Sequence, residues 1–227
     1  MSLNIPMPRE QLERIVRQVV RERLAGGRGT LAGPQGHKPN VVVNVSARHM
    51  HISSDDLRTL FGPGAELTVY RWLYQPGEFA SEQTVTIVGP RRRVIDKVRI
   101  LGPVRPASQI ELSFTDAIAL GIEAPVRPSG QISGTPGCIV IGPAGVVELK
   151  QGVIRAERHV HMSPADAAVY GFKDKQYVRL RVNSACSVTF EKVYCRVHPN
   201  FLLEAHVDTD EGNCCDLPNA TSVELLG

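Results

Sequence analysis

The chain has 227 residues, a formal charge of only +3, 42% hydrophobic and 22% charged residues. It is long enough to bury one large core or two small ones, and its composition is that of an ordinary globular protein. So small a net charge gives no basis for nucleic-acid binding, and no apolar run has membrane-spanning or secretory-leader length. Five scattered cysteines without a CxxC pattern point to a reducing cytosol rather than a disulfide framework.

The first unit runs from about Pro8 to Ala25, where Leu12, Ile15, Val16, Val19, Val20 and Leu24 recur at spacings of three and four among charged residues. That is an amphipathic helix with a narrow apolar stripe. A Gly- and Pro-rich linker follows to Pro39. The helix either docks on the main body or a sister subunit, or acts as a detachable packaging segment. From Asn40 onward short β-rich runs are broken by Gly and Pro. The candidate strands are Val41–Val45, Leu67–Arg71, Thr84–Val88, Val94–Ile100, Cys138–Ile141, Val146–Glu148, Tyr177–Val182, Ser187–Phe190, Val193–Val197, Leu202–Val207 and Ser222–Leu225. Many short strands with few helices predict closed or sandwiched β-structure.

The most informative feature is an internal repeat. Arg48-His49-Met50-His51-Ile52-Ser53 recurs as Arg158-His159-Val160-His161-Met162-Ser163. Each copy leads into a short helix with serine as N-cap, ended near Gly62 or Gly171, and then an alternating strand. Two related small domains are therefore expected, over 40–150 and 151–227, after an N-terminal region of 1–39. On a strand, residues i and i+2 share a face, so both imidazoles of a His-x-His pair can converge on one ion. Imidazole suits zinc, copper, iron and nickel. His206 and Glu111 are the additional ligand candidates: His206 lies at the end of an apolar run before an acidic turn, and Glu111 is a carboxylate inside an alternating run, where burial calls for a cation. Five histidines and one glutamate would serve two zinc ions with open positions. His37 and His198 read as solvated. Arg99 and Arg105 flank what reads as a Gly102-Pro103 turn, and Arg91-Arg92-Arg93 reads as a charged hairpin turn.

The blocks Val45–Ser53, Val98–Ile122, Gly134–Gly137, Val153–Asp166 and His206–Asn213 together resemble the propanediol-utilisation type of phosphate propanoyltransferase, the phosphotransacylase of bacterial microcompartments. The resemblance covers nearly everything from about residue 40 onward. It implies a mainly β fold of two related β-barrel domains with short capping helices, and exchange of CoA and phosphate on a short acyl group, propanoyl, in 1,2-propanediol degradation. It implies two zinc ions on His49, His51, Glu111, His159, His161 and His206. It also makes Arg105 the catalytic, phosphate-binding arginine and places Asn213 near the substrate; Arg99, on the other side of Gly102-Pro103, is a further substrate-binding candidate. An N-terminal helix on a linker is similar to the segments that carry enzymes into microcompartments, which implies shell or core proteins as partners and the microcompartment lumen as location. The oligomeric state, a homo-oligomer included, stays open. Two other readings use the same residues: a zinc-dependent thioester or phosphate-ester hydrolase, and a non-catalytic metal-stabilised scaffold.

Overall fold

The structure, a computed structural model, describes residues 38–227. The helix expected over 8–25 and its linker to His37 lie outside the described residues.

In chain order the first half holds β1 (Val42–Ser46), β2 (His49–Ser53), α1 (Ser54–Phe61), β3 (Val69–Trp72), β4 (Phe79–Val88) and β5 (Val94–Arg105). It continues with β6 (Gln109–Glu111), α2 (Phe114–Leu120), β7 (Val126–Arg127), β8 (Cys138–Ile141) and β9 (Val146–Leu149). The second half holds β10 (Val153–Ala156), β11 (His159–Met162), α3 (Pro164–Tyr170), β12 (Tyr177–Asn183) and β13 (Val188–Val197). It ends with β14 (Glu204–Asp208), α4 (Thr209–Cys214), a 3-10 turn and β15 (Ser222–Leu226). No helix among the described residues is long and apolar enough to cross a membrane.

The fold is mainly β, two curled half-barrel sheets with short helices. One sheet follows the order β7-β10-β6-β2-β5-β4-β8-β9, with β3 added on β4; the other is β1-β14-β11-β13-β12-β15. Each has its own apolar core. Met50 and Ile52 from β2 are fully buried in the first, and Val160 and Met162 from β11 in the second. Strand alternation sends the histidines between them to the opposite face.

The domain boundary expected near 150 does not follow the strands. β1 leaves the first half to pair in parallel with β14, aligning Asn44 with His206. β10 leaves the second half to lie between β6 and β7, aligning Ile154 with Glu111. The apolar side chains explain the exchange: Val41 and Val43 are buried in or packed against the second core, and Val153 belongs to the first.

Two other expectations change. Gly102-Pro103 is not a turn but lies inside β5, where Gly102 faces the ring of Phe79 so closely that a Cβ would stand 2.2 Å from it. Ser187–Phe190 and Val193–Val197 merge into the single strand β13, bent at Lys192, whose φ is 54°. The arginine run at 91–93 is the β4–β5 turn, as expected, although Arg91 donates to the Ile118 carbonyl at 3.0 Å.

Ile110 sits at the centre of β6, pointing into the first core with no exposed surface while its neighbours point the other way. Replacing it by alanine should cost about 2–5 kcal/mol, as for other buried large-to-small changes, and urea unfolding of I110A against the parent checks this.

Candidate metal centre

The repeat seen twice in the sequence occurs four times in the structure. Each of β2, β6, β11 and β14 carries a polar residue two positions before a helix N-cap: His51 before Ser53, Glu111 before Ser113, His161 before Ser163, His206 before Asp208. In every case the cap side chain accepts the backbone N–H three residues on, from Asp56, Asp116, Asp166 and Glu211. The short helices stop each strand where its ligand-bearing face is needed. Arg48 and Arg158, just ahead of the two His-x-His strands, tie them to the helices of the partner units through Asp116 at 3.3 Å and Glu211 at 3.1 Å.

Register then brings the units together in antiparallel pairs. β2 and β6 align His49 with Glu111 and His51 with Gln109. β11 and β14 align His159 with His206 and His161 with Glu204. Directly opposed side chains on one face of such a pair are close neighbours. In the first cluster the Nε2 atoms of His49 and His51 are 3.2 Å apart, and Glu111 oxygens lie 3.5 Å from the first and 3.7 Å from the second. Donors on a tetrahedral zinc with bonds near 2.0–2.1 Å stand about 3.3–3.4 Å apart. The two Nε2 atoms are therefore spaced as two corners of such a site, with one Glu111 oxygen near each of them.

The second cluster joins His159, His161 and His206, with one ligand atom from each within 4.8 Å of the others. The His159 and His206 rings stack at 4.7 Å. In both clusters the first histidine is oriented in the same way: Nδ1 of His49 donates to the Ala47 carbonyl and Nδ1 of His159 to the Glu157 carbonyl, each at 2.8 Å. That hydrogen bond fixes the tautomer and turns the Nε2 lone pair inward, the arrangement typical of metal-binding histidines. His206 Nε2 is buried without a hydrogen-bond partner among the described residues. The two clusters meet at a small cavity lined by Ser46, Glu111, His159, His206 and Asp208 among others. Two imidazoles with a carboxylate, and three imidazoles, are both donor sets that suit zinc and leave a position open.

Arg105 stands beside the first cluster. Its guanidinium donates to Ser129 Oγ at 3.1 Å; Gln109 donates to the same oxygen at 2.9 Å and to Glu111 at 2.6 Å. Its one carboxylate within ion-pair distance among the described residues is Glu78, at 4.0 Å, and the buried Glu111 carboxylate of the first cluster acts on its charge from further off. Arg99 is not gathered into this chain. It donates to the Ser81 carbonyl at 2.6 Å and stacks on the Tyr70 ring at 4.7 Å. Asn213 is exposed near the end of α4, the helix that starts just after His206. His198 lies in an exposed turn against Phe201.

Residues that sequence reading passes over are Gln109, Ser129, Arg196 and Glu204. Arg196 opposes His161 across β11 and β13, with its guanidinium over the Phe201 ring at 5.8 Å. Glu204 is 2% exposed, and its Oε2 lies 3.2 Å from His206 Nε2. Gln109 and Glu204 each share a strand face with a ligand candidate two residues on, and that spacing is the signal that could have found them.

Burial holds His51, His159 and His161 neutral. It lowers His51 and His159 to about 4, and lowers His161 to about 2. Burial pushes Glu111 up, but the adjacent His49 and His51 more than offset it and hold the carboxylate ionised. Neutral imidazole and ionised carboxylate are the metal-binding forms. Burial pushes the Cys138 and Cys195 thiols up to about 12 and about 11, so neither is a ready nucleophile.

These histidines have folded-state values below the ordinary 6.5, so the neutral form contributes stability that is fully present above 6.5 and lost as pH falls from there toward 4. Chelator-treated protein should lose stability over that window by up to ~1.4 kcal/mol per pH unit for each histidine involved. Urea unfolding at stepped pH should show the loss, and His161→Asn should reduce it.

A family model described as phosphate propanoyltransferase matches residues 42–218, a span that contains both His-x-His strands and the returning strands that complete the clusters. A phosphate propanoyltransferase of Planctopirus limnophila is 53% identical over 96% of this chain and 91% of its own length. Proteins of the same name from Thermotoga maritima and Lachnoclostridium phytofermentans are 51% and 44% identical, over 83% and 96% of this chain and 90% and 97% of their own lengths. The chain belongs to the phosphate propanoyltransferase family of acyltransferases.

Proposed function

We propose that the protein moves a short acyl group, propanoyl, between CoA and inorganic phosphate, giving acyl phosphate and free CoA or the reverse. Family membership supports the reaction class. The observation that carries the site is the hydrogen-bonded chain Arg105–Ser129–Gln109–Glu111, which fixes a guanidinium to the edge of a metal-type cluster. Arginine's planar fork suits phosphate oxygens.

Zinc is the ion we assign to both clusters: His49, His51 and Glu111 would hold one, and His159, His161 and His206 the other. When bound it supplies positive charge for the acyl oxygen or the departing thiolate. Arg105 holds phosphate with an oxygen facing the thioester carbon. That oxygen forms the new C–O bond while the C–S bond breaks and the electron pair leaves with sulfur. Asn213, next to the His206 strand, is the amide donor we assign to the substrate, and Arg99 the outer contact for CoA. The buried clusters keep water from the acyl carbon, the competing nucleophile in any such exchange. The names of the relatives give hydrolysis with the same ligands no support.

In the cell, we assign the acyl transfer to 1,2-propanediol breakdown inside a microcompartment, with the 8–25 segment as the contact to shell or core proteins. The amphipathic pattern of that segment supports this.

Release of CoA from propanoyl-CoA should require phosphate and yield acyl phosphate; phosphate-independent release would favour hydrolysis. Arg105→Ala should lower kcat/KM by about 10²–10³-fold, in the range of losing one transition-state donor, while bound zinc stays at the parental level.

A further inference from the structure

The two clusters place their carboxylates differently. In the first, the strand that returns beside the His-x-His pair reads Gln109-Ile110-Glu111; in the second it reads Glu204-Ala205-His206. Register makes Gln109 and Glu204 equivalent, one opposite His51 and the other opposite His161. The first cluster has its anion as a member of the triad and an amide at the flanking position. The second has three neutral imidazoles, and its flanking position holds the carboxylate.

That carboxylate has no cation of its own. Glu204 is almost wholly buried, and no Lys or Arg pairs with it among the described residues. Its oxygens are held by neutral donors only: the Asn44 amide on one, and Gln75 Nε2 at 2.6 Å on the other. A buried ionised carboxylate satisfied by amides alone still lacks a charge partner. His206 Nε2 lies 3.2 Å from Oε2, close enough to share a cation with it, but not in a directed hydrogen bond. The corresponding spacings between Glu111 and the imidazoles in the first cluster are 3.5 and 3.7 Å.

We propose that Glu204 is a positioning residue of the second cluster: its charge balances a divalent cation there, and its contact fixes the His206 ring. The two centres then carry one carboxylate each. Asn44 and Gln75, from β1 and from the loop between β3 and β4, donate to the Glu204 carboxylate, so residues of the first half reach the edge of the second cluster. The proposal rests on the two-ion reading above.

The test is zinc content and competition with a chelator, with cobalt as a spectroscopic probe, on the full chain. The parent should hold two ions. Glu204→Gln should keep the first and hold the second about 10–100-fold more weakly, the range for losing an outer partner of a metal-binding histidine, with only one of two cobalt absorption components altered. Gln75→Ala, which leaves the carboxylate in place, should hold both within a few-fold of the parent. Equal affinity of E204Q and the parent for both ions would overturn the proposal. So would equal losses in Q75A and E204Q, which would mean a disturbed loop rather than a missing charge. A parent protein that never holds two ions would instead sink the metal reading on which this depends.

Discussion

The arrangement depends on register between two pairs of very short strands. A slip of one residue between β2 and β6 would turn Glu111 into the first core and leave Ile110 beside the imidazoles. The fully buried Ile110 and Met50 forbid it from one side, and the helix caps at Ser53 and Ser113 from the other. β11 and β14 are held the same way by Val160, Ala205 and the caps at Ser163 and Asp208. Apolar packing on one face thus sets the spacing of the donor atoms on the other.

Because the ligand faces turn away from the apolar cores, something else must cover them. Each half does this for the other. Gln75, in the β3–β4 loop, donates to the Leu202 carbonyl at 3.0 Å, and its own side-chain oxygen accepts from the Leu202 N–H at 3.1 Å, so it acts as a piece of backbone pairing between the halves. Desolvation of His51, His159 and His161, which keeps them unprotonated, is a direct product of that mutual cover.

Much of the site was legible in the chain. His49-x-His51 and His159-x-His161 declare themselves because i and i+2 share a strand face, and Glu111 and His206 because a polar residue interrupts an apolar alternation. Most strands were also readable from alternation. What local pattern does not encode is which strand lies beside which. Nothing in Val42–Ser46 marks it as a neighbour of Glu204–Asp208, and Val153–Ala156 is too short to register. Gly102-Pro103 looked like a turn because those residues usually make one, whereas here a glycine is needed under an aromatic ring. Glu204 went unread because its role comes from the residue across the ladder. Arg105 stood out only through the family pattern, since an arginine near a proline is ordinary.

The exchanged strands also order events at the ribosome. The first sheet lacks the member between β6 and β7 until residue 156 has emerged, and β1, among the earliest made, waits unpaired until 208. Neither half is a self-sufficient translation product.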